Sequence, residues 1–472
     1  MQILKRTKII TTIGPSSHSE EMIGKLFDAG MTTIRLNFSH GDFEEQGARI
    51  TFANAVSKQK GVPISVMLDT KGPEIRVGKF VNEAQQFTQG QEITIYTDEV
   101  SYKNKKCNQG EMTVSHDMSK DLKVGNSILV DDGKLSLKVT DVKPGIIKAT
   151  AINNHLVKYN KRINLPGVLF SMPFLSEKDI NDIKFGCDRK VDFIAASFVN
   201  TPENVEQIRA ILKEKNSEHI KIIPKIESQY AVDNFDAILK VSDGIMVARG
   251  DLGLEIPYYE VPVVQKMMIR KCREAGKPVI VATQMLDSME KNPHPTRAEV
   301  TDVYFATELG ADATMLSGES AAGNYPVAAV NVMATINQRA EKEFYNKLYY
   351  KVQLDMIAKI SHGPRAELAK AVAEKTIDGK YKFTVVLSRS GQLLSEVAKF
   401  RPNTNILGVT NDYKQVTLFG ITSSVFMYPD TSWFDKIKQN FEQAKHVAKL
   451  YGAKAGDKIL VVENEKTFDL VF

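Results

Sequence analysis

Eight short apolar runs recur between residues 8 and 320, and helical intervals separate them. They are KIITTIGP (8–15), TTIRLNFS (32–39), ISVMLDT (64–70), DFIAASFV (192–199), KIIPKIE (221–227), GIMVARGD (244–251), PVIVATQM (278–285) and ATMLSGES (313–320). Intervals such as SEEMIGKLFDAG and ENVEQIRAILKEKN carry amphipathic helix patterns. Near-continuous apolar strands alternating with helices imply a parallel sheet covered on both faces. Eight such units fit a (β/α)8 barrel, an α/β fold whose active site lies at the C-terminal ends of the strands.

The polar residues fall at those ends. They are Arg35, Asn37 and Ser39; Asp69 and Thr70; Lys225 and Glu227; Arg249 and Asp251; Thr283; and Ser317 and Glu319. Side chains two apart on a strand share a face, so Lys225 and Glu227 stand side by side in an otherwise apolar run. With Asp251 one strand–helix unit later, they make a cation with two carboxylates. That set suits a metal-assisted reaction on an anion, and it equally suits a salt pair at two strand ends.

One interval breaks the spacing. Between Asp69 and Asp192 the runs GQEITIY, GEMTVSHD, NSILV and KLSLKVT alternate apolar with polar residues, and DDG between the last two is a hairpin signal. The expectation is a small β domain at 71–170, inserted after strand three. A domain there, on the active-site rim, can act as a lid that excludes water. The barrel would occupy 1–70 and 171–344. In PTRAEVTDV, Thr296 and Glu299 form a capping-box pattern. From about 345, KFTVVLS, NILGVT, SSVFMYP and KILVVEN read as strands, with KILVVEN the last. Helices lie between them, one of them long, from about 432 to 451. This predicts an α/β domain with a mostly parallel sheet at 345–472.

Lys+Arg 62 against Asp+Glu 57 leaves a net charge of only +5, which argues against a nucleic-acid partner. Cys107, Cys187 and Cys272 are widely spaced, with no disulfide framework or zinc spacing, so a reducing cytoplasmic setting is expected. The start MQILKRTKIITTIG has no long apolar core of a signal peptide, and no run of 18 apolar residues predicts a membrane span.

Seven motifs occur in register: IRLNFSHG (34–41), LDTKGPEIR (68–76), PKIES (224–228), ARGDLG (248–253), ATQML (282–286), PTRAEVTDV (295–303) and MLSGESAAGNYP (315–326). Together they resemble the pyruvate kinases, which transfer the phosphoryl group of phosphoenolpyruvate to ADP, giving ATP and pyruvate. The resemblance implies that Lys225 and Arg35 face the phosphoryl group. Glu227 and Asp251 would hold Mg²⁺ or Mn²⁺, and Gly250 and Asp251 would approach the substrate carboxylate. Thr283 would help deliver a proton to the enolate. Asn37, Ser39, Asp69 and Thr70 match a K⁺ site, and Glu74 is the acidic variant expected of a K⁺-dependent member. Asn37, His40, Arg76 and the lid residue Lys161 match nucleotide contacts.

Two departures stand out. Arg162 replaces the glycine that usually follows the lid lysine. In SRSGQL, Leu393 replaces the last hydroxyl of an effector loop, leaving Ser388, Ser390 and Gly391 as a reduced phosphate site. A homotetramer is implied by resemblance. Two other readings stay in view: a metal-dependent barrel lyase or aldolase acting on pyruvate enolate, and a non-catalytic metabolite-binding protein on the same fold.

Overall fold

A computed structural model of the protein describes residues 5–169, 171–464 and 466–472. The first four residues of the basic start therefore lie outside the described ones. Eight parallel strands close into a barrel in chain order: Lys8–Thr12, Thr33–Asn37, Ser65–Asp69, Phe193–Ala196, Lys221–Ile226, Ile245–Ala248, Val279–Ala282 and Ala313–Leu316. Each lies inside one of the eight apolar runs. Ile10, Met67, Phe193, Ala195, Ile223, Met246, Ile280 and Met315 fill the lumen. The alternate residues Ile9, Ile34, Leu68, Ile194, Ile222 and Val247 pack outward against the helices. A barrel strand is thus buried on both faces, which is why its sequence reads as continuous rather than alternating.

The interval after the third strand builds its own sheet, with Ile75–Arg76, Arg162–Asn164, Ser127–Val130, Leu135–Lys143, Ile146–Ala151, Glu92–Tyr96 and Glu111–Thr113 side by side. Its core is separate, built on Phe87, Ile95, Leu137, Ile147 and Val157. The DDG signal forms the expected hairpin turn: Asp131, Asp132 and Gly133 all have positive φ, and the flanking strands pair antiparallel. Helix Arg297–Glu308 starts at the Thr296 cap, and its capping box is complete on both sides.

The C-terminal sheet runs Val425–Met427, Asn405–Val409, Tyr381–Leu387, Lys458–Glu463, Lys466–Val471. Its first three pairings are parallel and the last is antiparallel. Lys458–Glu463 is therefore not the last strand, because the chain turns at Asn464, at φ 51°, and adds Lys466–Val471 on the edge. The single long helix expected at 432–451 is instead two short helices, Trp433–Gln439 and Ala444–Leu450. Asn440 breaks it: its backbone is extended and its side chain accepts from Glu442 N, the local bonding by which asparagine competes with helix. A further helix, Lys347–Ile360, precedes this sheet and was not foreseen. Among the described residues no helix is long and apolar enough to cross a membrane.

Candidate active site

Period-two alternation sets the site. On the fifth strand Ile223 faces the lumen, so Lys225 and Glu227 face it too, one layer higher at the C-terminal mouth. Phe193, Ala195 and Ser197 do the same on the fourth, and Met67 and Asp69 on the third. The register brings Ala195 level with Asp69 and with Ile223. Above the apolar lumen the barrel therefore carries a polar layer.

Lys225 Nζ is the centre of that layer. It lies 3.1 Å from Asp69 Oδ1 and 3.1 Å from Glu227 Oε1, and donates to Ser197 Oγ at 2.8 Å. Arg35 Nε donates to the other Asp69 oxygen at 2.6 Å, and its Nη1 to Thr12 Oγ1 at 2.8 Å. Burial alone would push the Asp69 carboxyl up. The Arg35 and Lys225 charges more than offset it and hold Asp69 below the usual carboxylate range. Burial likewise works against the Lys225 charge, but Asp69 and Glu227 raise its affinity for the proton. Glu227 is pushed up by burial, with Lys225 opposing.

Glu227 Oε2 accepts from Phe198 N at 2.7 Å. Its Oε1 has no aligned hydrogen-bond donor among the described residues, although Lys225 lies close. Asp251 follows the sixth strand in the short helix Arg249–Glu255. No cluster of three or more His, Cys, Asp or Glu able to hold a metal occurs among the described residues. Two carboxylates with an underused oxygen suit a hard divalent cation that completes its shell with substrate and water, as Mg²⁺ does.

Thr283 sits just past the seventh strand at φ 69°, a left-handed backbone that is costly for a β-branched residue. Its carbonyl accepts from Arg249 Nη2 at 2.6 Å, and its hydroxyl accepts from Gly250 N at 2.7 Å and donates to Ala282 O at 2.6 Å. A Cβ on residue 250 would meet Thr283 Oγ1 at 3.3 Å, so glycine permits this approach. Arg249 is anchored in turn on Asp302, at 2.5 Å.

The other candidates divide. Asn37 and Asp69 are paired in register, Asn37 Oδ1 accepts from Ser39 N, and Thr70 Oγ1 accepts from Ser197 N, so four side chains bearing an oxygen acceptor gather at two strand ends. Glu74 is no open linker carboxylate: its side chain is 7% exposed and holds Arg76 at 2.7 Å. His40 lies exposed at the rim. Lys161 turns back onto the lid, 2.8 Å from Asp131, while its neighbour Arg162 reaches the barrel and binds Asp251 Oδ1 at 2.6 Å. Ser388, Ser390 and Gly391 lie away from this mouth. Ser388 is buried and its backbone N donates to Val409 O, and Gly391 precedes helix Gln392–Lys399. Ser317 and Glu319 bond each other, and Glu319 also takes Leu286 N, which makes them a brace for the loop.

Sequence reasoning missed Ser197, Phe198 and Asp302. Ser197 could have been found as the one polar side chain inside the apolar run FIAASFV that follows Asp192. Phe198, at φ 56°, gives no sign of that strain in its residue type.

The family model for the pyruvate kinase barrel domain matches residues 4–330. The chain belongs to the pyruvate kinase family. It is 47% identical over 409 residues to the pyruvate kinase of Bacillus licheniformis, covering 86% of this chain and 69% of that one. It is 44% identical over 461 residues to that of Mycoplasma pneumoniae, covering 90% of each. A crystal structure of a pyruvate kinase from Cryptosporidium parvum superposes with a TM-score of 0.91 at 34% identity, covering 99% of this chain and 96% of that one.

Proposed function

We propose that this pyruvate kinase family member transfers the phosphoryl group of phosphoenolpyruvate to ADP, yielding ATP and pyruvate. The observation that carries the reading is Lys225: a buried ammonium 3.1 Å from both Asp69 and Glu227, at the mouth of a barrel covered by a lid. Neither a lyase nor an aldolase reading is supported by the relatives, and neither needs that charge beside a phosphoryl group.

Phosphoryl transfer is mostly positioning and charge stabilisation. Arg35 and Lys225 would grip the phosphoryl oxygens, the first with a planar fork and the second as a point charge. The Asp69 carboxylate between them aims both. The Asp251 backbone would take the substrate carboxylate, with Gly250 leaving room for its approach. The Thr283 hydroxyl, oriented by Ala282 O and Gly250 N, would pass a proton to the enolate through water, since a threonine hydroxyl is itself a poor acid.

Glu227 and Asp251 would hold Mg²⁺ (or Mn²⁺), which supplies charge neutralisation on the substrate's carboxylate and phosphoryl oxygens. Asn37, Ser39, Asp69 and Thr70 offer oxygens of the kind K⁺ takes. His40 and Arg76 would meet the nucleotide phosphates. Self-association into a homotetramer and a cytoplasmic setting belong to the same reading.

The test is pyruvate formation from phosphoenolpyruvate and ADP with Mg²⁺, coupled to a dehydrogenase. Turnover is expected, and none with any nucleoside diphosphate would overturn the reading.

A further inference from the structure

Arg162 opens the lid strand Arg162–Asn164, which carries the chain back toward the barrel. Its backbone is fixed by pairing with Arg76 and by Asp131 N, which donates to its carbonyl at 3.0 Å. The side chain leaves the lid altogether. Its guanidinium lies over the Phe198 ring, 4.7 Å from the centroid, and its Nη1 is 2.6 Å from Asp251 Oδ1. Its Nη2 is buried and has no hydrogen-bond partner among the described residues. Glu227 is the next acidic group acting on it, followed by Glu74 and Asp132. The arginine at this position is thus held by Asp251 and lies in the field of Glu227, the two carboxylates read above as the divalent-cation ligands. A guanidinium is weakly hydrated and always charged, so it can neutralise such a pair where water is excluded.

We propose that Arg162 occupies the divalent-cation position on Asp251, so that metal and guanidinium compete for one carboxylate and metal loading is coupled to release of the lid strand. The inference rests on the reading of Asp251 as a metal ligand. The guanidinium already takes Asp251 Oδ1 at 2.6 Å, so a metal that coordinates this oxygen must displace it. By linkage, whatever holds Arg162 on Asp251 weakens the metal by the same factor that the metal weakens Arg162. A glycine at position 162, the residue usual in the family, would leave the carboxylates open.

The experiment measures free Mn²⁺ by electron paramagnetic resonance during titration of the full chain, without phosphoenolpyruvate or nucleotide. Arg162→Ala and Arg162→Gln are expected to bind Mn²⁺ about tenfold more tightly than wild type, equivalent to roughly 1.4 kcal/mol. Arg162→Lys, which keeps the charge, should stay within about threefold of wild type. Asp251→Asn should lose the site. Arg162→Gln keeps more of the side-chain packing than alanine does, in case alanine loosens the lid. Amide exchange across Arg162–Asn164 gives a second readout, and saturating Mn²⁺ should accelerate it in wild type. Equal or weaker Mn²⁺ binding by both neutral variants, with Asp251→Asn defective, overturns the competition alone. Unchanged exchange on Mn²⁺ addition overturns it as well. Wild-type Mn²⁺ binding by Asp251→Asn overturns both this inference and the metal reading beneath it.

Discussion

Lys225 Nζ and Asp69 Oδ1 face each other at 3.1 Å across the barrel mouth, from strands that are not neighbours. The fourth strand separates them and contributes Ser197, which bonds the same ammonium. The ammonium is therefore fixed from three strands before any substrate arrives. Preorganisation of that kind costs no reorganisation during reaction.

Lys225→Met should accordingly lower phosphoryl transfer by about 10²–10³-fold, the usual effect of losing one preorganised donor. Proton exchange at the methyl of pyruvate, which needs Thr283 and metal but not the ammonium, should persist in part. Loss of the cation also leaves Asp69 and Glu227 buried with less compensation, so the melting temperature should fall. Transfer within about tenfold of wild type, under roughly 1.4 kcal/mol of barrier, would remove Lys225 from the phosphoryl-stabilising role.

Glu74 lies 2.7 Å from Arg76 and 3.8 Å from Lys71, and is nearly buried. It supplies negative charge between two cations at the root of the lid. Turnover is expected to rise with K⁺. Glu74→Lys, which places a fixed cation there, should abolish the difference between K⁺-containing and K⁺-free assays. Wild-type turnover indifferent to K⁺ would contradict the role given to Glu74 and leave the rest of the site intact.

The barrel was legible because its strands are buried on both faces and its polar residues gather at one end of each. The inserted β domain was legible because half-buried strands alternate. What escaped depends on tertiary geometry. Lys161 immediately precedes the strand Arg162–Asn164, and these adjacent basic side chains turn opposite ways. Only the lid's placement decides which of them reaches Asp251. The broken helix at Asn440 turned on one asparagine bonding its own neighbourhood, which helical periodicity does not register. The edge strand Lys466–Val471 is half polar and has no fully buried residue, so hydrophobic patterning was weak there.

Asp192 precedes the fourth barrel strand and accepts from Val66 N at 2.7 Å and from the Thr417 hydroxyl of the C-terminal region. Burial pushes its carboxyl up to about 7, against 3.8 when unfolded. The folded protein therefore holds this proton more tightly than the unfolded chain. Its contribution is full below about pH 4 and is lost as pH rises through about 7. Asp192→Asn cannot ionise, so it should lose less stability than wild type between pH 5 and pH 8. Parallel melting curves for the two proteins across that window would refute the assignment.

Arg401 Nη2 and Asp312 Oδ2 are 2.8 Å apart, both nearly buried, and join the C-terminal region to the start of the eighth barrel strand. A buried pair of this kind is weak evidence for net stability, yet breaking it is expensive. Asp312→Ala should cost about 3–5 kcal/mol in urea unfolding, because it strands the guanidinium. Arg401→Met in the Asp312→Ala background should recover part of that loss but not all. Asp312 also accepts from Val279 N at 3.2 Å and Ser423 N at 3.0 Å. Each amide left without an acceptor keeps a cost of about 1–3 kcal/mol that no change at Arg401 removes. Full recovery in the double variant would mean that the ion pair alone carries the junction. No recovery would mean that the two backbone amides do.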